Sequence, residues 1–320
     1  MKDHPVAKRG ASTAAQRLRG LADSPAEQAE YAVAVVRTET DALALEAALR
    51  ALAERPTLDA REPLARLYEL LDAKGVRRDQ GCHQRVGILK ALRSIVRDED
   101  RALLERAALT VEYLPPGRQD VAHVLRATAL LTLDALDSEL AAQHAVRLLF
   151  DGEAQPMSGE PAVTAARLLA AQAKTLPLYA YTMQREGQQA EALAECLRNL
   201  AVLPASLLAG LVERHGAPQA DVILVGLFDL LLAHPAGQAH LGFVTDFLTT
   251  TRRVDVYRYV IMALLATRDE TWLAALSEAV TVETDARKLE ILDDALALRA
   301  GTPLVDGLLR RVRAKGRRKG

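Results

Sequence analysis

Five arginines recur at similar places along this chain. Arg50, Arg93, Arg126, Arg167 and Arg198 each follow a small or apolar residue. A guanidinium is planar, always charged and forked, so it grips a carboxylate or a phosphate with two parallel hydrogen bonds. A second group of bases lies in two stretches broken by glycine or proline. Residues 74–85 hold Arg77, Arg78, His83 and Arg85, and residues 113–118 hold Tyr113 and Arg118. Connections carried by a rigid scaffold often hold binding residues. Cys82 beside His83 offers two soft metal-ligand types. Adjacent side chains on a helix diverge, however, so no metal site is expected there.

Other chemistries find no support. The chain has no phosphate-binding loop ending in Lys-Ser/Thr, no dinucleotide fingerprint, no Gly-x-Ser-x-Gly elbow and no His-Glu-x-x-His. The seven histidines (His4, His83, His123, His144, His215, His234 and His240) are scattered. His234 and His240 are six apart, which is wrong for two ligands on one helical face. No catalytic residue can be nominated, no cofactor is expected, and the reading leans away from an enzyme.

The elements that must position these residues are helices. Leu45, Ala48, Leu49 and Leu52 fall at the spacing i, i+3, i+4, i+7. So do Ile88, Ala91, Leu92 and Ile95, then Leu193, Cys196, Leu197 and Leu200, and Val256, Tyr259, Val260 and Ala263. Each set is an apolar stripe along one helical face. Val222–Val225 has the look of a buried strand, but the apolar pattern runs past Leu230, which suits a helix. Ser24-Pro25-Ala26-Glu27 reads as a capping box with proline at the first helical position, and Asp59 followed by Glu62 is a weaker start. Breaks are expected at Pro115–Gly117, Pro156–Gly159, His215–Pro218 and His234–Gly237.

Composition agrees. Half of the 320 residues are hydrophobic, only 4% are aromatic and 26% are charged. The apolar half is mainly Leu, Ala and Val, a balance that favours helix over sheet. Two distant cysteines, Cys82 and Cys196, do not make a disulfide framework and fit a reducing cytoplasm. The first ten residues lack the apolar stretch of a secretory signal. The run from Val222 to Leu232, broken by Asp229, is far short of the roughly 20 residues a membrane span needs. A cytoplasmic location without membrane contact is expected.

The net charge of -1 conceals an uneven distribution. Residues 310–320 hold seven bases and no acid, and residues 1–19 hold five bases and one acid, which leaves the rest near -12. Solvated ends are the expected reading of these basic segments. Trp272 is expected in packing, and Tyr179 and Tyr181 are expected to be satisfied locally.

Pairing consecutive helices gives about eight units, with second helices starting near Ala42, Gln80, Asp120, Glu160, Gln188, Pro218, Val254 and Thr284. A spacing of roughly 28 to 41 residues matches helix-pair repeats. Such a pair cannot bury its apolar face alone, so neighbours must stack. No linker divides the chain. Ala48-Leu49-Arg50-Ala51-Leu52, Ala91-Leu92-Arg93-Ser94-Ile95 and Cys196-Leu197-Arg198-Asn199-Leu200 resemble the HEAT-repeat pattern, closest to the short bacterial variety first noted in phycobilisome lyases. The resemblance covers about Ser24 to Leu298. It implies an all-α fold, an armadillo-type α-solenoid of about eight stacked antiparallel helix pairs. A basic segment at 1–23, a solenoid at 24–300 and a terminal helix with a basic tail at 301–320 complete the expected organisation.

In such a stack the second helices line the concave face, so the five arginines would form a ladder there. Asp229, Asp293 and Asp294 fall at corresponding places later on. The two base-rich connections, one repeat apart, should emerge on neighbouring edges. The leading expectation is a non-enzymatic scaffold that binds a protein or peptide partner. The alternative is nucleic-acid binding through the basic ends and the ladder, with alkylpurine excision as in HEAT-like DNA glycosylases. A third is bilin-lyase-like chromophore handling. The acidic body and scarce aromatics stand against the nucleic-acid reading, because base capture needs stacking surfaces. HEAT-like folds serve all three roles, so the fold does not choose among them.

Overall fold

Alternating helical stripes and polar starts make this chain almost wholly helical. The computed structural model describes residues 13–38, 40–114, 119–152, 155–184, 186–217 and 220–317. Among them are eighteen α-helices and one two-residue β-ladder, and 76% of the described residues are helical. Helix starts follow local chemistry. Asp41, Asp137 and Asp285 accept hydrogen bonds from the amides of Ala44, Leu140 and Lys288, and Thr302 accepts one from Val305 ahead of a helix that opens with Pro303. Gln119 to Asp120 pairs antiparallel with Tyr113 to Leu114.

Contacts divide the chain into two compact units, Met1–Leu168 and Leu169–Gly320. The first holds α1 (Thr13–Gly20), α2 (Pro25–Thr38), α3 (Ala42–Glu54), α4 (Arg61–Asp72), α5 (His83–Leu92), α6 (Arg101–Leu109), β1 (Tyr113–Leu114), β2 (Gln119–Asp120), α7 (His123–Leu136) and α8 (Ser138–Phe150). Here α1 packs on α3, α3 on α5, and α5 on α7, while α2, α4 and α6 lie against α3, α5 and α7. Helix α9 (Ala162–Ala171) spans the division.

The second unit holds α10 (Thr175–Thr182), α11 (Ala190–Arg198), α12 (Leu208–His215), α13 (Asp221–Ala233), α14 (Leu241–Thr250), α15 (Val254–Thr267), α16 (Glu270–Val282), α17 (Ala286–Leu298) and α18 (Pro303–Gly316). Within it α11 packs on α13, α13 on α15 and α15 on α17, and a second row runs α14, α16, α18. The second helix of each expected pair (α3, α5, α7, α9, α11, α13, α15 and α17) begins within three residues of its expected start.

The stripes become the core. Leu45, Ala48, Leu49 and Leu52 are buried, as are Ile88, Ala91, Leu92 and Ile95, and Leu193, Cys196, Leu197 and Leu200. The fourth stripe is rotated. Val256 and Val260 go inside with Tyr257 and Ile261, whereas Tyr259 faces out and its hydroxyl donates to Asp229. Helix α13, with its near-continuous apolar run, buries Leu224, Leu227, Phe228 and Leu231, and Phe228 packs against Phe243 and Phe247 with centroids 5.6 and 4.7 Å apart. Trp272 is buried in the same cluster, and the Tyr181 hydroxyl accepts from the Gln189 amide at 2.9 Å. Gly226 permits the contact between α11 and α13, since a Cβ there would lie 2.5 Å from the Ala194 carbonyl oxygen.

Polar ties between neighbouring helices have a period. In the first unit Arg61–Asp100, Arg106–Glu69, Arg101–Asp137, Arg147–Ala108 and Thr132–Leu89 join residues 36 to 43 apart. In the second, Arg214–Gln184, His234–Leu203, Gln238–Asp269, Arg253–Asp221 and His215–Thr182 join residues 30 to 33 apart.

The basic ends are partly built into the fold. In α1, Ala15 and Leu18 are buried, and the Arg17 guanidinium lies 4.4 Å from the Tyr31 ring centre. In α18, Arg311 donates to Ser277 and Thr281, Lys315 to the carbonyls of Thr281 and Glu283, and Arg313 to Asp293. Lys315 thereby answers carbonyls at the negative dipole end of α16, and Arg311 holds two hydroxyls of the same helix. No helix among the described residues is long and apolar enough to cross a membrane.

Candidate binding trough

Helical spacing brings polar groups to one face of the first unit. On α3, Ala42, Glu46, Leu49, Arg50 and Ala53 lie on one side; on α5, His83, Val86, Gly87 and Lys90 do. Between these two rows lies a cleft of about 720 Å³, overhung by Arg78 and Gln80. It adjoins a concavity of about 470 Å³ toward α1, sharing Glu46 and Arg50, where Arg19 and Glu54 stand. On the other side it adjoins one of about 600 Å³ toward α7, sharing Gln80, His83 and Val86, where Leu114, Val121 and Val124 stand. The three form one trough across α1, α3, α5 and α7.

The connections at its rim rest on buried arginines. Residues 73–82 include Gly81 in the left-handed region (φ 77°), and Asp79 accepts from the amides of Gln84 and Arg85 at 2.9 and 3.0 Å. Arg85 is fully buried. Its Nε lies 3.1 Å from Asp79, and its Nη1 lies 2.7 Å from Glu112 and 3.2 Å from Asp72. Glu112 belongs to the connection before α7, so one guanidinium ties both connections together. Burial works against the charge on Arg85, but the hydrogen bonds to Glu112 and Asp79 outweigh it and hold the pKa above its ordinary value. For the connection before α7, Arg126 repeats the device. Only 1% exposed, it lies 2.8 Å from Asp120 and donates to the Thr110 carbonyl at 3.0 Å. Asp120 in turn accepts from the amides of Glu112 and Ala122.

The expected site residues therefore separate. Arg50, Arg78 and His83 meet at the central cleft, with Arg50 also paired to Glu46 on its own helix at 3.1 Å. Arg93 is exposed at the end of α5, beyond the cleft, and Lys90 takes the place beside Arg50 that a ladder would give it. Arg126 and Arg85 hold the connections from inside and present nothing to solvent, because each faces buried carboxylates. Arg77, Arg167 and the half-exposed Tyr113 are on the surface but do not line the three concavities. Arg118 lies outside the described residues.

In the second unit Arg198 is committed to Glu195 at 3.1 Å and to Asp229 on the next helix at 3.3 Å, and Asp229 also accepts from Tyr259. Burial and that bond push the Tyr259 phenol up to about 12, so it stays a donor.

Lys90, Gln84 and Asp79 were not singled out from the sequence. Lys90 stands seven residues after His83, two turns along the same face, a signal present in the sequence, whereas Asp79 reaches the amides of Gln84 and Arg85 from ahead of Cys82, which holds the cap position. Cys82 is wholly buried, with its Sγ 3.3 Å from Arg85 and 3.7 Å from Glu112, and burial pushes its thiol up to about 12. It is thus a protonated structural thiol, while His83 faces the cleft. Among the described residues no group of three or more His, Cys, Asp or Glu side chains is placed to hold a metal ion.

No family model matches this chain, and no curated protein or solved structure matches it.

Proposed function

We propose that the chain is a non-enzymatic binding scaffold of the HEAT-like, helix-pair kind, and that its first unit holds an extended segment of a partner protein in the trough. The observation that carries this is the trough itself: adjoining concavities along four consecutively packed helices, with both rim connections fixed from below by one buried arginine. Fixed rims lower the ordering cost of binding. The regular 30-to-43-residue ties between neighbouring helices support the repeat reading, since equivalent positions then lie side by side. A location in the cytoplasm fits two unpaired cysteines.

Packed helices lie about 8–10 Å apart, so the three steps from α1 to α7 match about nine residues of extended chain at roughly 3.3 Å each. The lining is mixed, with bases at the centre, aliphatic side chains toward α7, and both bases (Arg19, Arg50) and carboxylates (Glu46, Glu54) toward α1. That favours a peptide over a nucleic-acid backbone, which prefers a continuous basic track with stacking rings. Among the described residues no Phe, Tyr or Trp lines the trough, and three bases of α18 are engaged within the fold.

Affinity capture from an extract of the source cell tests this. The intact chain should retain a partner in near-stoichiometric amount. Ala53→Trp, which fills the central cleft, should lose it, and Glu290→Lys on the surface of α17 should not. Equal retention by Ala53→Trp, or no stoichiometric partner in repeated captures, contradicts the proposal.

A further inference from the structure

The trough changes character within one helix spacing. Between α3 and α5, Arg78 and Lys90 stand exposed with no carboxylate at ion-pair distance among the described residues. Beside them Arg50 is only partly answered, by an exposed Glu46. The one other acid there, Asp79, is buried and belongs to Arg85. Between α5 and α7 the lining holds no Lys, Arg, Asp or Glu among the described residues, and Val86, Leu114, Val121 and Val124 stand there with Gln80, His83 and His123. Val124 is 41% exposed, an aliphatic surface open to a ligand.

From these observations, and resting on the reading of the trough as a peptide site, we infer the chemistry of the segment it takes. The segment is an acidic peptide in extended form, with one or two carboxylates over Arg78 and Lys90. A bulky aliphatic or aromatic residue follows or precedes them and lodges between α5 and α7. One helix step of about 8–10 Å spans about three residues of extended chain, so carboxylate and apolar anchor stand two to four positions apart. The two parts do different work. Exposed charge pairs add little affinity, but they steer encounter and reject like-charged partners. The desolvated apolar anchor supplies the larger share of binding.

Other occupants fit less well. A nucleic-acid strand would place phosphates over the apolar patch. The chain's own ends are basic and would be repelled from Arg78 and Lys90.

Selection of a random twelve-residue phage-displayed peptide library on the full chain tests the inference. Enriched peptides should be acidic and carry a large apolar residue two to four positions from an Asp or Glu. The exposed double variant Arg78→Glu/Lys90→Glu, checked for an unchanged Tm, should switch enrichment to basic peptides with the same apolar spacing. A wild-type-selected acidic peptide should bind it at least about tenfold more weakly. Val124→Asn should relax the apolar preference and leave the acidic one.

Enrichment lost on Ala53→Trp but neutral or basic in composition, or unaffected by the charge reversal, overturns the acidic assignment and keeps the trough as a binding site. Peptides enriched equally on the intact chain and on Ala53→Trp, or no enrichment, overturn both. Tight binding of mixed-sequence single-stranded DNA that is abolished by the charge reversal overturns the peptide reading and the acidic assignment in favour of nucleic acid, with the trough kept as its site.

Discussion

The same kind of helix face is used in opposite ways by the two units. In the second unit, α11, α13 and α15 bond to one another across the face, as Arg198 meets Asp229 and Asp229 meets Tyr259. Polar groups there are consumed by stacking. In the first unit, α3 and α5 leave Arg78 and Lys90 without such partners, and Gly87 keeps the floor low, since a Cβ there would sit 3.1 Å from Leu49. The longer period of the first unit explains the difference. Its additional residues lie in the connections after α4 and before α7, whose described parts, 73–82, 110–114 and 119–122, rest on buried charge.

The largest effect expected from this contrast is at Arg85. Arg85→Met leaves Asp79 and Glu112 buried without their cation, so the first unit should lose about 3–5 kcal/mol in chemical denaturation. The loss should be accompanied by faster hydrogen exchange in residues 73–82 and 110–114. A loss near zero would mean that the connections do not depend on the buried pair. Next comes Gly226→Ala, in which the new methyl meets the Ala194 carbonyl. The second unit should lose about 1–3 kcal/mol by overpacking. Gly87→Ala meets the Leu49 side chain at its Cδ1 (3.1 Å) and its Cβ (3.3 Å) rather than a backbone oxygen, and it gains helix propensity of about 1 kcal/mol, so it should stay within about 1 kcal/mol of the parent. Equal costs for the two would erase this part of the comparison.

Helix boundaries and three of four apolar stripes could be read from spacing, because capping and amphipathic periodicity are local. The fourth stripe misplaced Tyr259 because Tyr257 and Tyr259 are two positions apart on an apolar helix, and only the presence of Asp229 on α13 decides which turns outward. The arginine pattern failed for the same reason. Arg50 and Arg126 look alike in sequence, but Asp120 and the free Thr110 carbonyl draw Arg126 inside. Arg78 and His83 were legible as residues of a connection; that they share a cleft with Lys90 depends on the packing of α3 against α5. The division at residue 168 has no linker composition to announce it.

Smaller effects sharpen the contrast further. Arg198→Met removes a pair that is one-third exposed, so its cost should be under about 1 kcal/mol, far below that of Arg85→Met. A cost matching Arg85→Met would show that the exposed face of the second unit is as dependent on charge as the buried anchor of the first. The smallest effect concerns His215 in the second unit. Burial lowers its pKa below the ordinary 6.5, Arg214 adds to the lowering, and the bond to the Thr182 carbonyl opposes it. The unfolded state therefore takes up the proton first as pH falls. The stability that neutral His215 contributes is complete above pH 6.5 and is lost as pH falls toward the depressed value. His215→Gln should flatten the urea midpoint between pH 7.5 and 5.5 by less than about one proton's worth of slope. An unchanged slope would remove His215 as its source.

The most direct test of the trough as the binding surface is hydrogen exchange of the full chain with and without the captured partner. Protection should appear on α3, α5 and residues 78–84, and α11, α13 and α15 should exchange as before. Protection confined to the second unit, or to α2 and α4 with the trough unchanged, would contradict the account.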